Sequence, residues 1–82
     1  MSLMNRIIQQ MLRQLIADEM LELVPGATLA ELEQEIVDAM STARSFSQAT
    51  PFLAEQLVSS PRVHELYASD DELRHIMKTL EI

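Results

Sequence analysis

The stretch from Thr28 to Phe46 places the tightest limit on what this chain can fold into. Thr28 and Glu31 stand at the spacing of a capping box. In that motif the threonine hydroxyl accepts from the third helical amide and the glutamate reaches back to the threonine amide. Beyond them Leu29, Leu32, Ile36, Ala39, Ala43 and Phe46 recur at alternating three- and four-residue steps, which makes one apolar face of an α-helix. Glu31, Glu33 and Glu35 complement the positive end of the helix dipole, and Arg44 the negative end. A helix is predicted over 28–46.

A second helix is predicted over 3–23. Its apolar residues arrive in pairs: Leu3 with Met4, Ile7 with Ile8, Met11 with Leu12, Leu15 with Ile16. Pairs every four residues give a stripe broader than one partner helix covers. Met4, Ile8, Leu12, Ile16, Met20 and Val24 form a ladder of four-residue steps. On a helix of 3.6 residues per turn such a ladder drifts by ~40° at each step. Either different elements contact this helix on different sides, which the lack of an interior Pro or Gly favours, or it kinks near Ala17 and Asp18. Pro25 and Gly26 end it, and the short connection to Thr28 predicts an antiparallel hairpin.

After Phe46 the texture changes. Thr50 with Pro51, and Ser60 with Pro61, read as N-caps followed by first-turn prolines, while Ser69 with Glu72 is a second capping box. Short helices are expected over 51–59, 61–68 and 70–80. They align as a repeat of roughly ten residues in which Leu53, Val63 and Leu73 correspond, as do Leu57, Tyr67 and Met77. Each is too short to be stable alone, so the three must pack on one another and on the hairpin. The expected fold is a single all-α domain, residues 1–82.

The segment from Thr50 to Leu80, with Pro51-Phe52-Leu53, Ser60-Pro61-Arg62-Val63 and Asp70-Asp71-Glu72-Leu73-Arg74, resembles the DP-type helical repeat of stress-inducible phosphoproteins, found in co-chaperones and ubiquilins. The third unit has Asp71 where that family prefers proline. The resemblance implies short helices that form an apolar groove for hydrophobic or amphipathic client segments. Phe52, Leu53, Leu57, Val63, Leu66, Tyr67, Leu73, Ile76 and Met77 would then be its core and groove positions.

Charge narrows the partners. The net charge is −7, which argues against nucleic acid and against anionic membrane surfaces, both of which call for a basic face. No Lys or Arg lies between Arg13 and Arg44, whereas Asp18, Glu19, Glu22, Glu31, Glu33, Glu35 and Asp38 all fall there. That region is either a solvated face or a docking face for a basic partner. No apolar run is long enough to span a membrane. Residues 1–16 lack the uninterrupted apolar segment of a signal peptide, so a cytoplasmic protein is expected. A chain of 82 residues builds a thin core, and without cysteine it has no disulfide to reinforce it. A homodimer is an expected remedy.

Catalytic patterns are weak. His75 follows Glu72 at the carboxylate–histidine spacing of di-metal bundles, with Glu19 and Glu22 as conceivable further ligands, but Glu72 is already explained by its cap. Asp70, Asp71 and Glu72 lack the spaced oxygen ligands and turn glycine of a calcium loop. The single glycine excludes a glycine-rich phosphate loop, and the serines sit where caps explain them. No enzyme, cofactor, metal site or small-molecule substrate is expected.

The expected function is a non-catalytic protein–protein interaction module or adaptor. A helical apolar surface would receive an amphipathic helix from a partner or a second copy. Met11, Leu15, Met40, Leu57, Tyr67 and Met77 are the residues expected to line it; methionine suits either an adaptable surface or core filling. The alternatives are a small acidic regulator that docks on a basic partner and a metal-binding helical bundle.

Overall fold

A computed structural model describes residues 3–40 and 46–80, apart from the side chains of 46–49. In the order of the chain the elements are α1 (Leu3–Ala17), β1 (Leu21–Leu23), α2 (Leu29–Ala39), α3 (Phe46–Ser59), β2 (Val63–Leu66) and α4 (Asp70–Leu80). The described residues are mostly helical, with one two-stranded antiparallel sheet.

Both capping boxes form. The Thr28 hydroxyl accepts from the Glu31 amide at 3.2 Å, and Glu31 Oε1 accepts from the Thr28 amide at 3.0 Å and from its hydroxyl at 2.9 Å. The hydroxyl bond, then the amide bond, holds the Glu31 carboxyl below its usual range. Ser69 and Glu72 repeat the arrangement at the start of α4. The expected helix over 70–80 is therefore found, whereas α2 ends at Ala39 with Met40 as its C-cap. Of the expected continuation to Phe46, residues 41–45 lie outside the described residues, and Phe46 itself opens α3.

Helix one is shorter than expected, and a strand takes the place of its last turn. The Met20 amide donates to the Leu15 carbonyl at 2.8 Å and the Glu19 amide to the Ile16 carbonyl at 3.1 Å, with Glu19 at φ 59°. That is a Schellman closure, a helix end that reverses through one left-handed residue. Glycine usually fills that position, so a glutamate there gives no warning in the sequence. The next residues, Leu21-Glu22-Leu23, alternate in burial as a strand does. The expected hairpin of two long helices is thus replaced by helices of 15 and 11 residues, with β1 between them.

The helix expected over 61–68 is also a strand. Ser60 and Pro61 form a turn rather than a cap: the Val63 amide donates to the Ser60 carbonyl at 3.2 Å and the Arg62 amide to the Ser60 hydroxyl at 3.2 Å. Proline at the second position of such a turn has the same φ as proline in the first turn of a helix, so the dipeptide alone does not decide between them. The decision comes from β1. Leu21 pairs with Leu66 and Glu22 with Glu65, and a bulge then brings Leu23 opposite Val63 with His64 as the extra residue. His64 Nδ1 lies 2.6 Å from Glu22 Oε1. The start expected at Pro51 is displaced as well, because α3 begins at Phe46 and carries Pro51 inside it. Buried Leu53 and Leu57 anchor that helix to the core.

The broad stripe of α1 is covered within the chain. Ile7, Ile8, Met11, Leu12 and Leu15 are all buried, with α2 packed against one side and α4 against another. The drift of the apolar ladder thus serves contacts on two sides. Two cross-links fasten the periphery. Arg13 pairs with Glu33 at 3.1 Å between α1 and α2. Glu35 Oε1, on α2, accepts from the Ser60 hydroxyl at 2.7 Å and from Arg62 Nη1 at 3.0 Å. That bond holds the turn before β2.

Candidate functional site

The core closes over most of the residues expected to line a binding surface. Met11, Leu15, Met40, Leu57 and Met77 are at most 2% exposed, whereas Tyr67 is 61% exposed. The first five are core in this chain, because α1, α2, α3 and α4 converge on them. Of the positions implied by the co-chaperone resemblance, Leu53, Leu57, Leu73 and Met77 are buried, Val63, Leu66 and Ile76 half-buried, and Phe52 and Tyr67 exposed.

The seam between α1 and α4 stays open. Three adjoining depressions of about 360, 290 and 390 Å³ run along it. At one end Asp18 and Met20 face Asp71, Glu72, His75 and Ile76. In the middle Gln14 and Asp18 face Ile76, Thr79 and Leu80. At the other end Gln10, Arg13 and Ala17 face Leu80. As α4 advances, the facing α1 residues count backwards, so the two helices run antiparallel. The lining of α4 from Asp71 to Leu80 spans about 14 Å, or two and a half turns.

Half-buried Met20, Ile76 and Leu80 supply the apolar floor, and each also packs against the buried core. The Schellman closure sets Met20 in place by turning the chain across the end of the seam. The Tyr67 amide donates to the Met20 carbonyl at 2.7 Å, so Tyr67 adjoins that same end. Met20 was visible in the sequence as a rung of the drifting ladder. Ile76 and Leu80 widen the Leu73–Met77 stripe of α4, which was the available signal for a second contact face.

Most of the acids between Asp18 and Asp38 have partners within the chain. Glu31 caps α2, Glu33 pairs with Arg13, Glu35 holds Ser60 and Arg62, and Glu22 pairs with His64. Asp18 accepts from Gln14 Nε2 at 2.7 Å, and Asp38 from Gln34 Nε2 at 2.9 Å. His75 and Glu72 do share the end of the seam with Asp18 and Asp71. Even so, among the described residues no three His, Cys, Asp or Glu side chains are placed to hold a metal ion. No described helix is long and apolar enough to cross a membrane. Comparison with protein-family models, with curated proteins and with solved structures gives no match for this chain.

Proposed function

We propose that this chain is a non-catalytic protein-interaction module whose α1–α4 seam takes a short apolar-faced helix from another polypeptide. The observation that carries the proposal is the continuous seam floored by Met20, Ile76 and Leu80. A helix of two to three turns matches its length, and burial of one apolar face in a groove is a common mode of peptide recognition.

The test is a selection of helical peptides against the full chain, with the binding site mapped by amide chemical shifts. Selected peptides should shift the amides of Met20, Ile76 and Leu80. Thr79→Arg, which puts a bulky side chain on the exposed rim, should abolish binding without changing the circular dichroism. Binders that shift only other surfaces, or no binders at all, would overturn the proposal. Light scattering on the chain alone reports whether a second copy fills the seam.

A further inference from the structure

The charges around the seam say which kind of helix belongs in it. Building on the function proposed above, we infer that the occupant is a basic-edged amphipathic helix of a partner protein, lying parallel to α4 with its N-terminal end at the Asp18–Asp71 end of the seam.

The first support is the one-sided distribution of charge. Asp18, Asp71 and Glu72 rim one end, and no Lys or Arg joins them in that lining. Glu19 and Asp70, next to them in sequence, are exposed as well. At 100° per residue, the α4 positions facing the seam, Asp71, Glu72, His75, Ile76, Thr79 and Leu80, occupy about half of the helical wheel. Arg74 and Lys78 fall outside that half, so the basic residues of α4 lie off the groove. Arg74 does contact Asp71, at 3.0 Å, in a pair whose side chains are 55% and 92% exposed. So open a pair is held weakly and exchanges readily for an incoming cation. Asp18 is held by a neutral glutamine, and Glu72 Oε1 accepts from the Ser69 amide in its cap.

The second support is that the opposite end differs. There the lining is Gln10, Arg13, Gln14, Ala17 and Leu80, with Arg13 the only charged residue. Arg13 pairs there with Glu33, so the seam runs from acidic at one end to near neutral at the other over about 14 Å. A helix carries partial positive charge at its N-terminus and partial negative charge at its C-terminus, so its dipole matches this gradient in one direction only. That direction is parallel to α4 and antiparallel to α1. A second copy is a poor occupant, because each chain carries a net −7 and would bring like charge to an acidic rim.

The experiment uses the full chain and two stapled model helices of three turns. They share one leucine face and differ in edge residues, lysine in one and glutamate in the other. Each carries a paramagnetic label at either its N- or its C-terminal end. The lysine helix should bind the seam about tenfold more tightly, at roughly twofold per exposed ion pair with three acids. High salt should erase that preference, as should the double variant Asp18→Lys, Asp71→Lys. A label at the N-terminal end should broaden Met20 and Asp71, and one at the C-terminal end should broaden Gln10 and Arg13.

Equal affinity of both helices at the seam would overturn the charge assignment and leave the proposed function standing. Label effects in the reverse order would overturn the orientation. Binding of neither helix at the seam would overturn the inference and the proposed function together. A dimer that persists in dilution and high salt and covers the seam would replace the partner with a second copy.

Discussion

The Met20 amide donates to the Leu15 carbonyl across the end of α1 at 2.8 Å, and Glu19 crosses the left-handed region between them at φ 59°. This bond ends the helix and aims the chain into β1. It also joins a floor residue of the seam to a residue of the deepest core. A non-glycine residue in that conformation costs roughly 1–2 kcal/mol, part of which glycine gives back as chain entropy. Glu19→Gly should therefore raise stability by about 0.5–1 kcal/mol. Urea unfolding checks this, and a loss of stability would mean that α1 does not end as described.

Glu35 holds both Ser60 and Arg62 while its own side chain is only 27% exposed. Glu35→Ala removes the acceptor of two bonds and frees the turn that starts β2. A loss of about 1–2 kcal/mol is expected, with the greatest gain in amide exchange at Val63 to Leu66. Uniform exchange changes across α4 instead would show that the contact does not act on β2.

Leu15 and Val58 make a matched contrast. Leu15 is fully buried, so Leu15→Ala should cost about 3 kcal/mol through lost burial and the cavity left behind. Val58 is 70% exposed on α3, and Val58→Ala should stay within about 0.5 kcal/mol. Thermal unfolding of the two variants checks both expectations. A Leu15→Ala protein as stable as the parent would return Leu15 to the surface, where its sequence pattern also allowed it to be.

Acid should loosen α2 through its cap. The Glu31 carboxyl is held below its ordinary value of 4.5, first by the Thr28 hydroxyl and then by the Thr28 amide, with Arg62 a lesser contributor. A depressed carboxyl adds stability that is complete above its unfolded value and is lost as pH falls through the folded one. Stability should therefore fall with pH from just above 4.5 downward. Thr28→Val, which lacks the hydroxyl, should shrink that acid-dependent part; an unchanged pH profile would show that the cap does not contribute it.

How much was legible in the chain depended on how local each signal was. Thr28 with Glu31 and Ser69 with Glu72 declared their helix starts because a cap is complete within four residues. The buried pairs of α1 were legible for the same reason, since their spacing is a property of one helix. Leu21-Glu22-Leu23 and Val63 to Leu66 were not legible as strands, because the ladder step from Met20 to Val24 and the Ser60-Pro61 pair each suit a helix. Only the pairing of the two segments decides between these, and it joins residues far apart in the chain. The seam was hidden for a related reason. Met20, Ile76 and Leu80 form a floor only after α1 stops at Ala17 and α4 lies beside it, and a glutamate at position 19 conceals that stop.

The sheet also dictates an order of assembly. β1 and β2 are the only strands among the described residues, and everything from Val24 to Arg62, including α2 and α3, lies between them. Closing a loop of that length as free chain costs about 3 kcal/mol more than closing the shortest one, too much for three short rungs to supply alone. The helices are therefore expected to collapse first and bring the strand segments within reach, with pairing of Leu21 and Leu66 following late. The bond from the Tyr67 amide to the Met20 carbonyl closes with that pairing, so the sheet is what finally fixes Met20 at the acidic end of the seam.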